Sequence, residues 1–189
     1  MLKKLSQFIL ICSMCLFGFA AVGAQEDPTL DDDEVVVEAT EEVDAPKRPG
    51  PVDKEAPFSQ LPGRWIGEGR LGLGEGKIET VKCRATYFVN GTGNELKQNI
   101  RCASPSGKIE VKSEVNAKGG HITGTWNELM YNIGGNMAGE VTERGFRIKV
   151  QSDDMTANMD VIVFGDRQMV EIQFFNSSLR GLTLMLKKG

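Results

Sequence analysis

From Phe58 to the C-terminus, apolar and polar side chains alternate with a period of two, as they do in strands with one buried face. Ile109, Val111, Ser113 and Val115 alternate with Glu110, Lys112 and Glu114, and Phe146, Ile148 and Val150 with Arg147, Lys149 and Gln151. Met159, Val161 and Val163 lie around Asp160, and Val170, Ile172 and Phe174 around Glu171 and Gln173. Turn-forming clusters separate the runs at Gly74–Gly76, Asn90–Gly93, Ser104–Gly107, Lys118–Gly120, Glu143–Gly145, Ser152–Asp154 and Gly165–Asp166. No part of this region has a helical period. The pattern predicts an all-β domain over 58–189, an up-and-down antiparallel barrel of about 8–10 strands, because closure removes the exposed edges of such a sheet.

Glycine supports closure. Residues 57–189 contain 19 Gly, about 14% of the segment and twice the usual roughly 7%. Gly67, Gly69, Gly72, Gly124 and Gly139 interrupt strand-like runs, where the missing Cβ permits sharp coiling. A barrel of this size is either filled by its own side chains or holds one small ligand.

The turn at Asn90–Gly93 sets a testable register. Centring a hairpin there pairs Val89 with Leu96, Tyr87 with Gln98, Ala85 with Ile100, and Cys83 with Cys102. Opposed strand residues lie about 4.5–5.5 Å apart at Cα, so the two Cys face each other within disulfide reach. On the other face of the hairpin the same register opposes Arg84 to Arg101 and Lys97 to Phe88, with Lys82 two positions along. Directly opposed like charges destabilise a sheet. Glu110 and Glu114 of the next strand would neutralise these four bases; left free, the bases would contact an anionic envelope component or the chain's own acidic tail.

Composition divides the chain in three. Its net charge of −4 is the sum of +2 over 1–24, −9 over 25–56 and +3 over 57–189. Residues 1–24 have Lys3 and Lys4, an apolar stretch near Phe8–Phe19 and small residues ending at Ala24, the pattern of a secretory signal peptide cut after Ala24. Cys12 and Cys15 lack the small residues that precede a lipid-modified Cys. Residues 25–57 are acidic, then Pro-rich, and read as a disordered linker that cannot bury enough apolar surface to fold. The mature chain carries no membrane-length apolar run, and its expected location is periplasmic or secreted, where a disulfide persists.

The domain opens Leu61-Pro62-Gly63-Arg64-Trp65-Ile66-Gly67. A Gly-x-Trp on the first strand of an antiparallel barrel resembles the calycin superfamily of lipocalins, fatty-acid-binding proteins and bacterial relatives. The resemblance implies that Trp65 plugs one barrel end, that Lys187 of the last run packs over it, and that the barrel holds a small apolar or amphiphilic ligand. The CRATY, RCAS and GTWNE stretches also resemble small exported proteins of alphaproteobacteria. A second Gly-x-Trp, at Gly124–Trp126, hints at a duplicated half-barrel; otherwise Trp126 packs in the core.

Catalytic and metal chemistry finds little support. His121 is the one His and sits in a Lys-Gly-Gly-His turn, with no partner for a triad or a zinc site. Gly67–Gly72 matches G-x-G-x-x-G, but it lies in a strand-like run that precedes no helix. Six domain Met, among them Met130, Met137 and Met159, lack the repeated spacing of a copper(I) site. A +3 domain is too weakly basic to point to nucleic acid. The expectation is therefore a non-enzymatic periplasmic binding module without cofactor or metal. The alternative is an envelope interaction or inhibitor protein that uses Lys82, Arg84, Lys97 and Arg101 and the acidic tail.

Overall fold

The alternating runs become ten strands: β1 (Gly63–Leu73), β2 (Ile78–Val89), β3 (Glu95–Ser104), β4 (Gly107–Lys118), β5 (His121–Glu128), β6 (Ile133–Thr142), β7 (Gly145–Gln151), β8 (Thr156–Phe164), β9 (Arg167–Phe175) and β10 (Leu179–Lys188). The computed structural model describes residues 50–189; the signal peptide, its cut after Ala24 and residues 25–49 of the acidic segment lie outside the described residues. Each strand pairs antiparallel with its chain neighbour, and β1 pairs with β10 to close the barrel. All seven sequence-predicted turns fall between strands. Two connections were not evident from turn chemistry: Asn176–Ser178, and the apolar turn Leu129-Met130-Tyr131-Asn132.

The predicted register is the observed one. Val89 pairs with Leu96, Tyr87 with Gln98, Ala85 with Ile100, and Cys83 with Cys102. The two Cys form a disulfide on the inner wall, with both residues buried.

Closure depends on residues without a Cβ. Gly67 faces inward on β1, and a Cβ there would collide with the Met185 carbonyl of β10. Gly139 does the same on the opposite side of the barrel, where a Cβ would strike the Arg147 carbonyl of β7. Gly72 differs from the expectation: it faces outward, and a Cβ there would make only ordinary contacts of 3.6–3.7 Å.

An up-and-down barrel has turns at alternate ends, so its ends are distinct. Residues 50–62 cross the end that holds the β2–β3, β4–β5, β6–β7 and β8–β9 turns. The Val52 amide donates to the Glu143 carbonyl at 2.9 Å, and the Phe58 amide to the Gly93 carbonyl at 2.9 Å. Phe58 and Leu61 are buried, with Phe58 5.3 Å from the Phe146 ring. Residues 50–57 are thus seated on the barrel, not free linker as expected. Burying Phe58 and Leu61 across the end forces the preceding residues to run along it.

Two outcomes follow. Reducing the Cys83–Cys102 bond should lower the unfolding free energy by about 3 kcal/mol, read as a shift of the urea midpoint with and without reductant, because a loop of this size is then released in the unfolded chain. Gly139→Ala should destabilise by about 2–3 kcal/mol as a buried carbonyl is pushed aside. Gly91→Ala, in open space, should stay within about 0.5 kcal/mol of wild type in the same thermal melts.

Candidate functional site

Trp65 occupies the plugged end as the sequence implies. It is 0% exposed, its indole Nε1–H donates to the Leu61 carbonyl at 2.8 Å, and its ring tilts against Tyr87 at 6.2 Å. The base over it is Lys188, not Lys187. The Lys188 Nζ stands 5.6 Å from the ring centroid and donates to the Gln60 carbonyl at 3.0 Å. Lys187 points outward, 3.9 Å from Asp166. Strand parity decides this, because Leu184 and Leu186 face inward and Lys188 is next in that set.

Burial of the inner wall is uneven, although Val81, Cys83, Cys102 and Ala157 are buried away from the plug and Val89 beside it is only partly buried. Toward the plugged end most inward side chains are buried, among them Leu96, Val115, Ile122, Val141, Phe146, Val163 and Leu186. Toward the opposite end, inward apolar side chains pack on this core yet remain in contact with solvent: Leu71, Ile100, Trp126, Val150, Met159, Ile172 and Leu182. Ile109 and Ile133, at inward positions beside the rim, are exposed. Among the described residues no segment crosses this end, here called the mouth. Apolar side chains also spread outward around it. Leu129, Met130 and Tyr131 form the β5–β6 turn, with Met130 61% and Tyr131 65% exposed, and Ile78 and Phe175 stand beside neighbouring turns.

The floor of the mouth is polar. Tyr87, Gln98, Ser113 and Trp126 form one inward-facing row across β2, β3, β4 and β5. The Tyr87 hydroxyl donates to Gln168 Oε1 at 2.9 Å, and burial pushes its phenol pKa up. The Trp126 Nε1–H donates to the Gln151 carbonyl at 3.3 Å, and the residue is partly buried against the core. Ser113 is 4% exposed and its Oγ has no hydrogen-bond partner. Gln98, beside it, has no side-chain hydrogen bond among the described residues.

At paired inward positions of the open half, the ionisable side chains are two carboxylates, Glu79 and Glu128. Glu79 accepts from the Ser106 amide at 3.1 Å and the Ser106 hydroxyl at 2.7 Å, which lowers its pKa. Glu128 is buried. Desolvation raises its pKa, but backbone N–H groups of Glu110, Tyr131 and Met130 outweigh this and hold it below the ordinary value. Its Oε2 accepts from Tyr131 at 2.7 Å and its Oε1 from Glu110 at 2.9 Å, so one carboxylate fastens the apolar β5–β6 turn to β4.

The four bases of the outer hairpin face do not form a free patch. Arg84 and Arg101 are opposed as predicted, but Arg101 bonds Glu110 at 3.0 Å and Lys97 bonds Glu114 at 3.1 Å. The Arg101 contact lowers the Glu110 pKa, and an Asn99 amide adds to it at 3.1 Å. Lys82 and Arg84 have no carboxylate at ion-pair distance among the described residues. An open depression of about 820 Å³ beside Lys97 and Phe88 is lined by Asn99, Lys112 and Glu114 together with Gln98, Ser113 and Trp126.

Elsewhere, His121 is exposed at the start of β5, and among the described residues no three His, Cys, Asp or Glu gather to hold a metal. The second Gly-x-Trp lies on β5, four strands from the first, which does not divide a ten-stranded barrel into halves. No protein-family model matches the chain, and no curated protein matches it.

The Glu128 anchor carries a sign. A carboxylate with a depressed pKa in the folded state stabilises above its unfolded value of about 4.3, and that contribution disappears as pH falls through the folded value. Glu128→Gln should therefore lower Tm at pH 7, and the gap to wild type should close in melts taken progressively below pH 4.

Proposed function

We propose that this protein is a non-enzymatic, exported binding module that takes a small apolar or amphiphilic ligand into the open half of its barrel. One observation carries the reading: away from the plugged end, the inward residues Leu71, Ile100, Met159, Ile172 and Leu182 are only partly buried, and Ile109 and Ile133 at the rim are exposed. A protein gains about 25 cal/mol for each Å² of apolar surface removed from water, so an unfilled apolar mouth favours an apolar occupant. The collar at Leu129–Tyr131 and Ile133 extends that surface to the rim, where such a ligand would leave a lipid phase. The Gly-x-Trp start and the plugging Trp65 support a calycin-like ancestry, and fold alone does not fix function. The N-terminal signal pattern supports export to the periplasm or beyond, and the Cys83–Cys102 bond is compatible with that compartment. The outer hairpin face supports the interaction-protein reading less, since Glu110 and Glu114 pair with two of its four bases.

The test is binding of the neutral fluorophore N-phenyl-1-naphthylamine to the purified mature protein. Its emission should rise on binding, and Ile172→Glu or Met159→Glu should weaken binding at least about tenfold by placing a charge in the mouth. Ile66→Glu, on the outer wall, should leave it unchanged. A fluorophore that ignores the protein, or binds all variants alike, removes the proposal.

A further inference from the structure

The row Tyr87–Gln98–Ser113–Trp126 runs across four neighbouring strands from beside the plug to the partly buried Trp126, and the hydroxyl of its central member Ser113 is unsatisfied. A buried hydroxyl without a partner costs free energy, and such groups are paired in nearly all native structures, with protein, water or ligand. Ser113 Oγ is such a group, more than nine-tenths buried on the inner wall. Gln98, directly across the β3–β4 ladder, adds an amide that can donate and accept. The floor of an apolar mouth therefore offers neutral hydrogen-bonding groups and no cation. The charged side chains at paired inward positions of the open half are Glu79 and Glu128, both carboxylates; the bases at this end, Lys77, Lys108 and Arg180, stand outside those positions.

Building on the reading above, we propose that the ligand is an uncharged amphiphile, a fatty alcohol or monoacylglycerol, that enters polar end first and places its hydroxyl or ester oxygen against Ser113 and Gln98. Its chain then lies along Ile100, Met159, Ile172 and Leu182. A fatty acid of equal length buries the same apolar surface, but its carboxylate meets no positive partner at the floor. Burying an unpaired charge there costs far more than burying a hydroxyl that gains two hydrogen bonds. The preference is set by the chemistry of the floor, and the tail adds affinity without discrimination.

The experiment is displacement of N-phenyl-1-naphthylamine from the mature protein at pH 8 by monolauroylglycerol and by laurate, each below its micelle concentration. Monolauroylglycerol should displace the fluorophore at least about tenfold more effectively than laurate, the worth of one or two hydrogen bonds to a buried group. Ser113→Ala and Gln98→Leu should retain fluorophore binding, showing that the mouth is intact, and should each reduce the monolauroylglycerol preference several-fold. Equal or stronger displacement by laurate overturns the assignment and leaves the apolar-mouth reading in place. So does a preference unchanged in both variants. If the fluorophore does not bind the wild-type protein, both proposals fall.

Discussion

Closing a sheet into a cylinder satisfies every strand edge and leaves two round openings where an apolar interior meets water. Everything distinctive in this protein follows from treating those openings differently. At one, Phe58, Leu61 and Trp65 fill the cross-section, and the chain that leads to them is tied down by hydrogen bonds to Glu143 and Gly93. At the other, inward side chains of the same apolar type are left in contact with solvent. The asymmetry leaves the inner wall more deeply packed at one end than at the other.

The stability of the packed half and the availability of the open half are linked through closure. Gly67 and Gly139 sit on opposite sides and let β1 approach β10 and β6 approach β7 closely enough to bend the sheet around. The Cys83–Cys102 bond ties two strands of the inner wall between these bends. Glu128 contributes at the rim: by accepting backbone N–H groups from both β4 and the β5–β6 turn, it holds an apolar turn together with the bond from the Leu129 amide to the Glu110 carbonyl.

Much of this was legible in the chain. Period-two alternation located β4, β7, β8 and β9, and one hairpin register placed Cys83 opposite Cys102 and Arg84 opposite Arg101, because side-chain direction repeats every two residues. The same rule explains the error at Lys187. A shift of one residue changes faces, and only the strand's final register shows that Lys188 is the inward one. The turn Leu129-Met130-Tyr131 was invisible because it contains no Gly or Pro and reads as strand interior. Ser113 carried a signal that went unused, a hydroxyl in an otherwise apolar inward run between Val111 and Val115.

Local spacing, by itself, determined the class of fold, the register of one hairpin, the disulfide and the face of nearly every strand residue. These properties depend on neighbours a few positions apart or on one turn. The difference between the two ends was decided only by the tertiary structure. Burial of Ile100, Met159 or Ile172 depends on what lies across the barrel, contributed by strands far away in the chain, and on whether any segment covers the opening. The unpaired state of Ser113 and the inward placement of Glu79 and Glu128 belong to the same kind of fact. Each is a property of a shared interior volume, and alternation along a strand says which way a side chain points without saying what it meets there.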